Sequence, residues 1–193
     1  MNSTATIDVP VVTPFMTAEE FVQLHGEDSS VELLKGRVVR CPMPGAKHGE
    51  VCGNAFAILR EFVKPHGLGR LMTNDTFIRA GKEPDTYRGA DVCFIGYTRW
   101  PKEQPLPKGP LEVAPELVVE VRSPTDRTSH ILGKVSDYLK AGVVVVLVLD
   151  PAIEAVTIYR ETEDIPQRFS NGDELTLPDL LPGFTVPVRK FFE

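Results

Sequence analysis

The chain has 193 residues, of which 42% are hydrophobic, 25% charged and 8% aromatic, a composition that allows a globular protein to bury its own core. Its formal net charge of −6 argues against a passive nucleic-acid coat, because such a protein needs a broad basic surface. No apolar run approaches the ~20 residues of a membrane helix, and no basic segment followed by an apolar one opens the chain. We therefore expect neither a membrane span nor a signal peptide.

The three cysteines, Cys41, Cys52 and Cys93, are far apart in the chain and form neither a CxxC pair nor a zinc-ligand spacing. An odd number of separated thiols is typical of a reducing compartment, because disulfides persist mainly outside it. The cysteine pattern therefore predicts a cytoplasmic protein.

Residues 1–15 are polar and are predicted to form a flexible N-terminal arm ahead of a single domain over residues 16–193. Thr17 with Glu20 three residues later predicts a capping box, which starts a short helix ending near His25.

Hydrophobic periodicity predicts the remaining elements. Residues 31–41 are expected to form a β-hairpin that turns at Lys35 and Gly36. Helices are predicted at residues 48–64 and 129–141, and strands at residues 68–80, 88–96, 116–123, 143–150 and 155–161. We expect the last of these strands to lie at an edge, and the tail to add one short hairpin and a terminal turn.

From residue 48 to residue 150 the predicted order is helix, strand, strand, strand, helix, strand, an αβββαβ core. The second helix joins two strands by a crossover, which implies a parallel pair, whereas turns or loops join the first three strands and favour antiparallel pairing. The sequence has neither GxGxxG nor GxxxxGK[ST], which argues against a doubly wound nucleotide-binding fold. We predict an α/β fold with a mixed sheet, helices on both faces, an extra N-terminal hairpin and C-terminal strands.

Two carboxylates interrupt apolar strands. Asp91 follows Ala90 in one predicted strand, and Glu120 lies within LVVEV in the next. Considered singly, each carboxylate is explained by solvent exposure at the end of a strand or by a salt bridge. Together on neighbouring covered strands they repel each other unless a cation lies between them, and carboxylate oxygens suit Mg²⁺. Lys134, near the apolar face of the following helix, completes a set typical of a metal-dependent active site.

Several segments follow one another in the order of a known family: ELLKGRVV, RGADVCFIG, PELVVEVRSPTDR, KVSDYLKAGVVVVLVLDP and LPGF, with His48 after the first. From about Met16 to Glu193 the sequence resembles the Uma-type restriction endonucleases of bacteria, members of the PD-(D/E)XK nuclease superfamily. The resemblance implies a restriction-endonuclease-like fold, a Mg²⁺ or Mn²⁺ cofactor, and hydrolysis of phosphodiester bonds in DNA.

The resemblance also implies roles for single residues. Asp91 and Glu120 match the two metal carboxylates, and Val121 matches the residue whose backbone carbonyl completes the metal site. Lys134 matches a catalytic lysine displaced from the strand to the next helix. Glu32 matches an acidic residue that borders the metal site.

Two further positions are expected to meet the substrate. His48 matches a recurrent family histidine, for which a structural hydrogen-bonding role is equally open. Arg122 stands on the same strand face as Glu120, at the position where the superfamily usually has lysine. Arginine cannot act as a general base, but it binds phosphate. Ala90 replaces the usual proline before the aspartate, a change expected to affect the turn and not the chemistry.

Two alternatives to a DNA endonuclease remain open, a catalytically silent binding protein of the same fold and a metal-dependent phosphoesterase for a small substrate. An enclosed pocket favours the small substrate. A basic rim favours DNA, and its candidate members are Arg79, Lys82, Arg88, Arg122 and Arg127. By analogy with nucleases that cut both strands, we also expect a homodimer, formed through the C-terminal VPVRKFF and the proline-rich loop 97–115.

Overall fold

The computed structural model describes residues 15–28 and 30–193. The helices are α1 (Ala18–His25), α2 (Ala46–Val63) and α3 (Thr128–Lys140), with a 3₁₀ turn at Val188–Phe191. The strands are β1 (Val31–Leu34), β2 (Arg37–Arg40), β3 (Gly69–Gly81), β4 (Thr86–Gly96), β5 (Leu117–Val121), β6 (Val145–Asp150), β7 (Ala155–Arg160), β8 (Gln167–Ser170), β9 (Glu174–Thr176) and β10 (Thr185–Pro187). The predicted arm falls on residues outside this description apart from Phe15, so the arm and the single domain stay predictions.

Local sequence signals near the N-terminus act as expected. The Thr17 hydroxyl accepts from the Glu20 N–H at 3.2 Å, and the Glu20 carboxylate accepts from the Thr17 N–H at 2.8 Å, which completes the capping box. The β1–β2 hairpin turns at Lys35 and Gly36, both with positive φ, which matches the right-handed twist of the strands.

The main sheet has the order β2-β1-β4-β5-β6-β7-β8, and β3 pairs with β4. Among its strands in the described part of the chain, β5 and β6 are the one parallel pair, and α3 makes the crossover between them. Together α2, β3, β4, β5, α3 and β6 form the predicted αβββαβ core, which confirms the restriction-endonuclease-like architecture. The tail adds β9 and β10 as the expected hairpin.

The prediction that residues 155–161 form an edge strand is wrong. β7 pairs with β6 on one side and with β8 on the other, so β8 is the edge. The alternating pattern that suggested an edge comes from a face of β7 that is only partly covered, with Thr157 and Tyr159 half-buried. Alternation reports how much of a strand's face is covered and does not report whether its backbone is paired.

Helices cover both faces of the sheet, as predicted. Val119 and Val121 of β5 pack in one core with Val51 and Leu59 of α2. Their neighbour Val118 packs in the opposite core with residues of α3. Because side chains alternate along a strand, Glu120 lies on the α3 side. Among the described residues no helix is both long and apolar enough to cross a membrane.

The strand β4 has a gap along one edge. β3 pairs with β4 along almost its whole length, so β1 and β5 share the other edge. β1 pairs there at Tyr87 and β5 at Val92–Phe94. Residues 88–91 lie between these two points, where side chains take the place of a neighbouring strand. This gap positions the candidate site.

Candidate active site

A cavity of about 390 Å³ opens at the gap in β4. All of the predicted site residues except Arg122 line it, namely Glu32, His48, Asp91, Glu120, Val121 and Lys134. They come from β1, α2, β4, β5 and α3, so the fold brings together residues that are far apart in the sequence.

Asp91 is 8% exposed and stands at the C-terminal side of the gap. Its Oδ2 accepts from the Val121 N–H at 2.6 Å, and the same oxygen lies 3.3 Å from Nε2 of His48. Its Oδ1 receives no hydrogen bond from the residues that the structure describes. Val121 thus contacts Asp91 through its N–H, and the metal-binding role of its carbonyl stays a prediction.

Glu120 is 2% exposed, and both of its carboxylate oxygens have partners from α3. Oε2 accepts from Nζ of Lys134 at 2.6 Å, and Oε1 accepts from the hydroxyl of Tyr138 at 2.7 Å. Burial raises the pKa of Glu120 to about 8, although the Lys134 ammonium acts in the opposite direction. The side chain is therefore held firmly in a site where an additional cation would favour its ionised form.

Lys134 bridges the gap from the opposite side. Its Nζ donates to the carbonyl of Gly89 at 3.0 Å and lies 3.5 Å from Oε1 of Glu32, in addition to its contact with Glu120. Burial opposes the charged amine, but the Glu120 and Glu32 carboxylates outweigh it and raise the pKa of Lys134. Lys134 is accordingly an ammonium group at neutral pH.

Glu32 is buried and occupies the other end of the gap. Its Oε2 accepts from Arg88 at 2.7 Å, and its Oε1 accepts from the Gly89 N–H at 3.0 Å. Arg88 also donates to Asp137 at 2.7 Å. Burial opposes ionisation of Glu32, but Lys134 and Arg88 hold its pKa below the ordinary range. Glu32 is thus an ionised carboxylate that positions Lys134.

His48 lies in the first turn of α2, and its ring stands between Asp91 and Cys52. The hydrogen bond to Asp91 raises the pKa of His48. On the other side, Nδ1 of the ring lies 3.5 Å from Sγ of Cys52. His48 also lines an adjoining cavity of about 470 Å³.

Arg122 lines this adjoining cavity, next to the one that holds the carboxylates. Its guanidinium donates to Asp150 at 3.0 Å and to Thr128 at 3.2 Å. The β5 strand ends at Val121, so Arg122 follows the end of the sheet and turns toward the neighbouring strand. It is close to the site but makes no contact with Glu120 among the described hydrogen bonds and ion pairs.

Two residues of the expected basic rim, Arg79 and Arg88, are paired with carboxylates. Arg88 is 3% exposed and is paired with Glu32 and Asp137, so it belongs to the interior. Arg79 is paired with Asp85 at 2.6 Å and with Glu112 at 2.9 Å. Both arginines lie in strands, and nearby carboxylates neutralise the charge of each guanidinium group. The spacing of residues in the sequence does not reveal this pairing.

Sequence reasoning missed two residues of the site, Tyr138 and Asp75, and one residue beside it, Cys52. No role in the site was predicted for Tyr138, although it lies one turn after Lys134, a spacing that puts both on one face of α3. Cys52 touches the His48 ring from the side away from Asp91 and lies outside the cavity lining. Asp75 lines the cavity from a bulge in β3, where Asn74 and Asp75 have positive φ, and no sequence pattern indicated it.

The cavity is rich in carboxylates. Asp75, Asp91 and Glu120 are three of the five carboxylates that line it, and carboxylate oxygens are the ligands that Mg²⁺ and Mn²⁺ prefer. Burial and the neighbouring Asp91 charge raise the pKa of Asp75, as expected where carboxylates crowd together. Gly89 permits this approach, because a Cβ there would lie 3.2 Å from that of Asp75.

Comparison with known families now adds to this geometry. The model of the Uma2 family, described as "Putative restriction endonuclease", matches residues 18–189. The chain belongs to the Uma2 family. This confirms the family indicated by the sequence motifs, and the family description supports a nuclease.

A solved structure from Anabaena variabilis, described as a putative nuclease belonging to DUF820, has the same fold as this Uma2 chain. The two share 21% sequence identity with a TM-score of 0.78, over 92% of this chain and 97% of the other. Curated proteins give no significant match.

Proposed function

We propose that this Uma2 chain is a metal-dependent endonuclease that hydrolyses phosphodiester bonds of DNA with Mg²⁺ or Mn²⁺. One observation carries the proposal: the ammonium of Lys134 lies 2.6 Å from Glu120 in the cavity that also holds Asp91. Two carboxylates and a charged lysine are what metal-assisted phosphoryl transfer requires. The family description supports the same activity.

In this proposal Asp91, Glu120 and the carbonyl of Val121 hold the metal ion. When bound there, the ion would act as a Lewis acid and neutralise charge on the phosphoryl oxygens. Lys134 remains protonated, so it orients the attacking water and stabilises the negative charge that develops on the phosphoryl group. Glu32, Tyr138 and the carbonyl of Gly89 keep Lys134 and Glu120 in place.

The substrate is proposed to enter from the adjoining cavity. His48 lies where the two cavities meet, and Arg122 lies beyond it with a side chain 35% exposed. An exposed guanidinium binds phosphate with paired donors, so Arg122 is suited to the DNA backbone next to the cleaved bond. His48 is suited to orient the substrate phosphate while its ring is held by Asp91.

A small phosphate ester is a second candidate substrate, favoured by the size of the cavity that holds Asp91 and Glu120. About 390 Å³ is within the range of small-molecule sites. The catalytically silent alternative has less support, because Asp91, Glu120 and Lys134 are all present and the latter two are in direct contact.

Cleavage of supercoiled plasmid tests the proposal, with Mg²⁺ or Mn²⁺ and with EDTA as the metal-free control. Asp91→Asn and Glu120→Gln should abolish nicking and linearisation. Glu116→Gln is the matched control, because Glu116 is a largely buried carboxylate next to β5 but outside the cavity. Equal cleavage by the site variants would refute the assigned ligands. Hydrolysis of bis-p-nitrophenyl phosphate without plasmid cleavage would favour the small substrate.

We further infer a homodimer in the cytoplasm, with one site for each DNA strand. The C-terminal segment expected at its interface does not supply one, because Val188, Phe191 and Phe192 pack in the core of their own chain. In loop 97–115, Leu106 and Val113 remain partly exposed. The three cysteines are free thiols, which agrees with a reducing compartment. Light scattering that gives a monomer mass at micromolar concentration would contradict the dimer.

A further inference from the structure

Beside the carboxylate site lies a group of three potential metal ligands with a different chemistry. His48 and Cys52 are one turn apart on α2, and Asp91 faces them from β4. One ligand atom from each, a ring nitrogen, a thiol sulfur and a carboxylate oxygen, lie within 4.8 Å of one another. All three side chains are buried or half-buried, so they are protected from bulk solvent.

We propose that His48, Cys52 and Asp91 form a Zn²⁺ site that shares Asp91 with the proposed Mg²⁺ site. Because one carboxylate serves both sites, Zn²⁺ and Mg²⁺ compete, and Zn²⁺ inhibits the nuclease. The inhibition rests on the proposed function, whereas Zn²⁺ binding does not.

The geometry is close to what zinc requires. Zinc bonds of about 2.3 Å to sulfur and about 2.0–2.2 Å to nitrogen or oxygen put tetrahedral ligands roughly 3.4–3.8 Å apart. Sγ of Cys52 is already 3.5 Å from one nitrogen of His48, and Oδ2 of Asp91 is 3.3 Å from the other. A zinc ion binds only one of these nitrogens, so the ligand beside the other nitrogen must move toward it, starting from three ligand atoms that lie within 4.8 Å of one another.

Ligand chemistry decides which ion the trio prefers. Mg²⁺ binds oxygen ligands and gains nothing from a thiol, whereas Zn²⁺ binds thiolate, imidazole and carboxylate together. When Zn²⁺ binds, it takes the sulfur lone pair and the thiol proton of Cys52 passes to solvent. Cys52 is thus the residue that distinguishes the two ions at Asp91.

The charges around the trio favour a dication. The carboxyl groups of Asp75 and Glu120 line the same cavity as His48 and Asp91. The ammonium of Lys134, which lines the same cavity, is paired with Glu120 and Glu32. The trio thus has two further carboxyl groups beside it, and the Lys134 ammonium is already paired with other residues. This arrangement of charge favours the binding of a divalent cation by the trio.

Cobalt binding tests the site without using catalysis. Co²⁺ replaces Zn²⁺ in such sites, and a thiolate ligand gives it a strong near-ultraviolet charge-transfer absorption. We expect this absorption for the wild type and for Cys41→Ser, and its loss in Cys52→Ser. Cys41 is the matched control, because it is a half-buried thiol that lines the cavity of His48 and Asp91 without belonging to the trio. No absorption in the wild type at saturating Co²⁺, or its persistence in Cys52→Ser, would overturn the site.

Zinc inhibition then tests the competition. With plasmid cleavage in Mg²⁺, Cys52→Ser should raise the half-inhibiting Zn²⁺ concentration by at least about tenfold and leave cleavage without Zn²⁺ unchanged. An unchanged Zn²⁺ response would refute the competition. If the wild type does not cleave, the proposed function fails, while the cobalt absorption still decides the thiolate site. Circular dichroism checks folding, and Cys52→Ala replaces Cys52→Ser if the hydroxyl disturbs the helix.

Discussion

Replacing Arg88 by methionine is expected to destabilise the folded protein strongly. Arg88 and Glu32 are each 3% exposed and are joined at 2.7 Å. Removing one partner of a buried ion pair typically costs about 3–5 kcal/mol, because the other charge is left without compensation. Glu32 keeps the Gly89 N–H and Lys134 at 3.5 Å, and Asp137 regains water, so we expect the lower end, about 3 kcal/mol.

Urea unfolding at neutral pH measures this loss, with Arg168→Met as the matched control. Arg168 is an exposed arginine in β8, and its replacement should change the free energy of unfolding by less than about 0.5 kcal/mol. Adding Glu32→Gln to Arg88→Met should recover part of the loss, because the uncompensated charge is then gone. A loss below about 1 kcal/mol for Arg88→Met would refute the reasoning, since the pair would then contribute no more than a surface ion pair.

The same pair predicts a pH dependence. The pKa of Glu32 is lowered in the folded state, so its ionisation stabilises the protein above the ordinary glutamate range. This stabilisation is lost as the pH falls through the lowered pKa. The difference in the free energy of unfolding between wild type and Arg88→Met should therefore become smaller in acid. A difference that grows in acid would contradict the assignment of an ionised Glu32.

Three further variants follow from the same contacts. Lys134→Gln should lower plasmid cleavage by about 100-fold or more with DNA binding retained, as gel-shift and cleavage assays can compare. Thr17→Ala removes the cap of α1 and should cost about 1 kcal/mol in a thermal melt. Burial opposes ionisation of Asp85, but the Ala18 N–H and Arg79 hold its pKa low. Asp85→Asn should therefore destabilise by about 2 kcal/mol at neutral pH, and the difference should disappear as the pH falls through that lowered pKa.

The sequence by itself determined the order of the elements and the central residues of the site. The periodicity of apolar residues predicts α2, α3 and the strands. Each of these elements buries one face, so its apolar residues recur with the period of a helix or a strand. Asp91 and Glu120 were found because a carboxylate in an apolar strand is costly without a partner. Lys134 was predicted from its place near the apolar face of the helix that follows Glu120, as a member of the same set, and its ammonium contacts Glu120.

Only the tertiary structure decided which side chains meet. The interior position of β7, the burial of Arg88 and the bond from Tyr138 to Glu120 depend on strand register and helix placement. The same holds for Cys52 and Asp91, which the sequence separates and the packing of α2 on β4 brings to one place. Periodicity tells which face of an element is buried, whereas contacts between distant residues arise only when those faces are packed together.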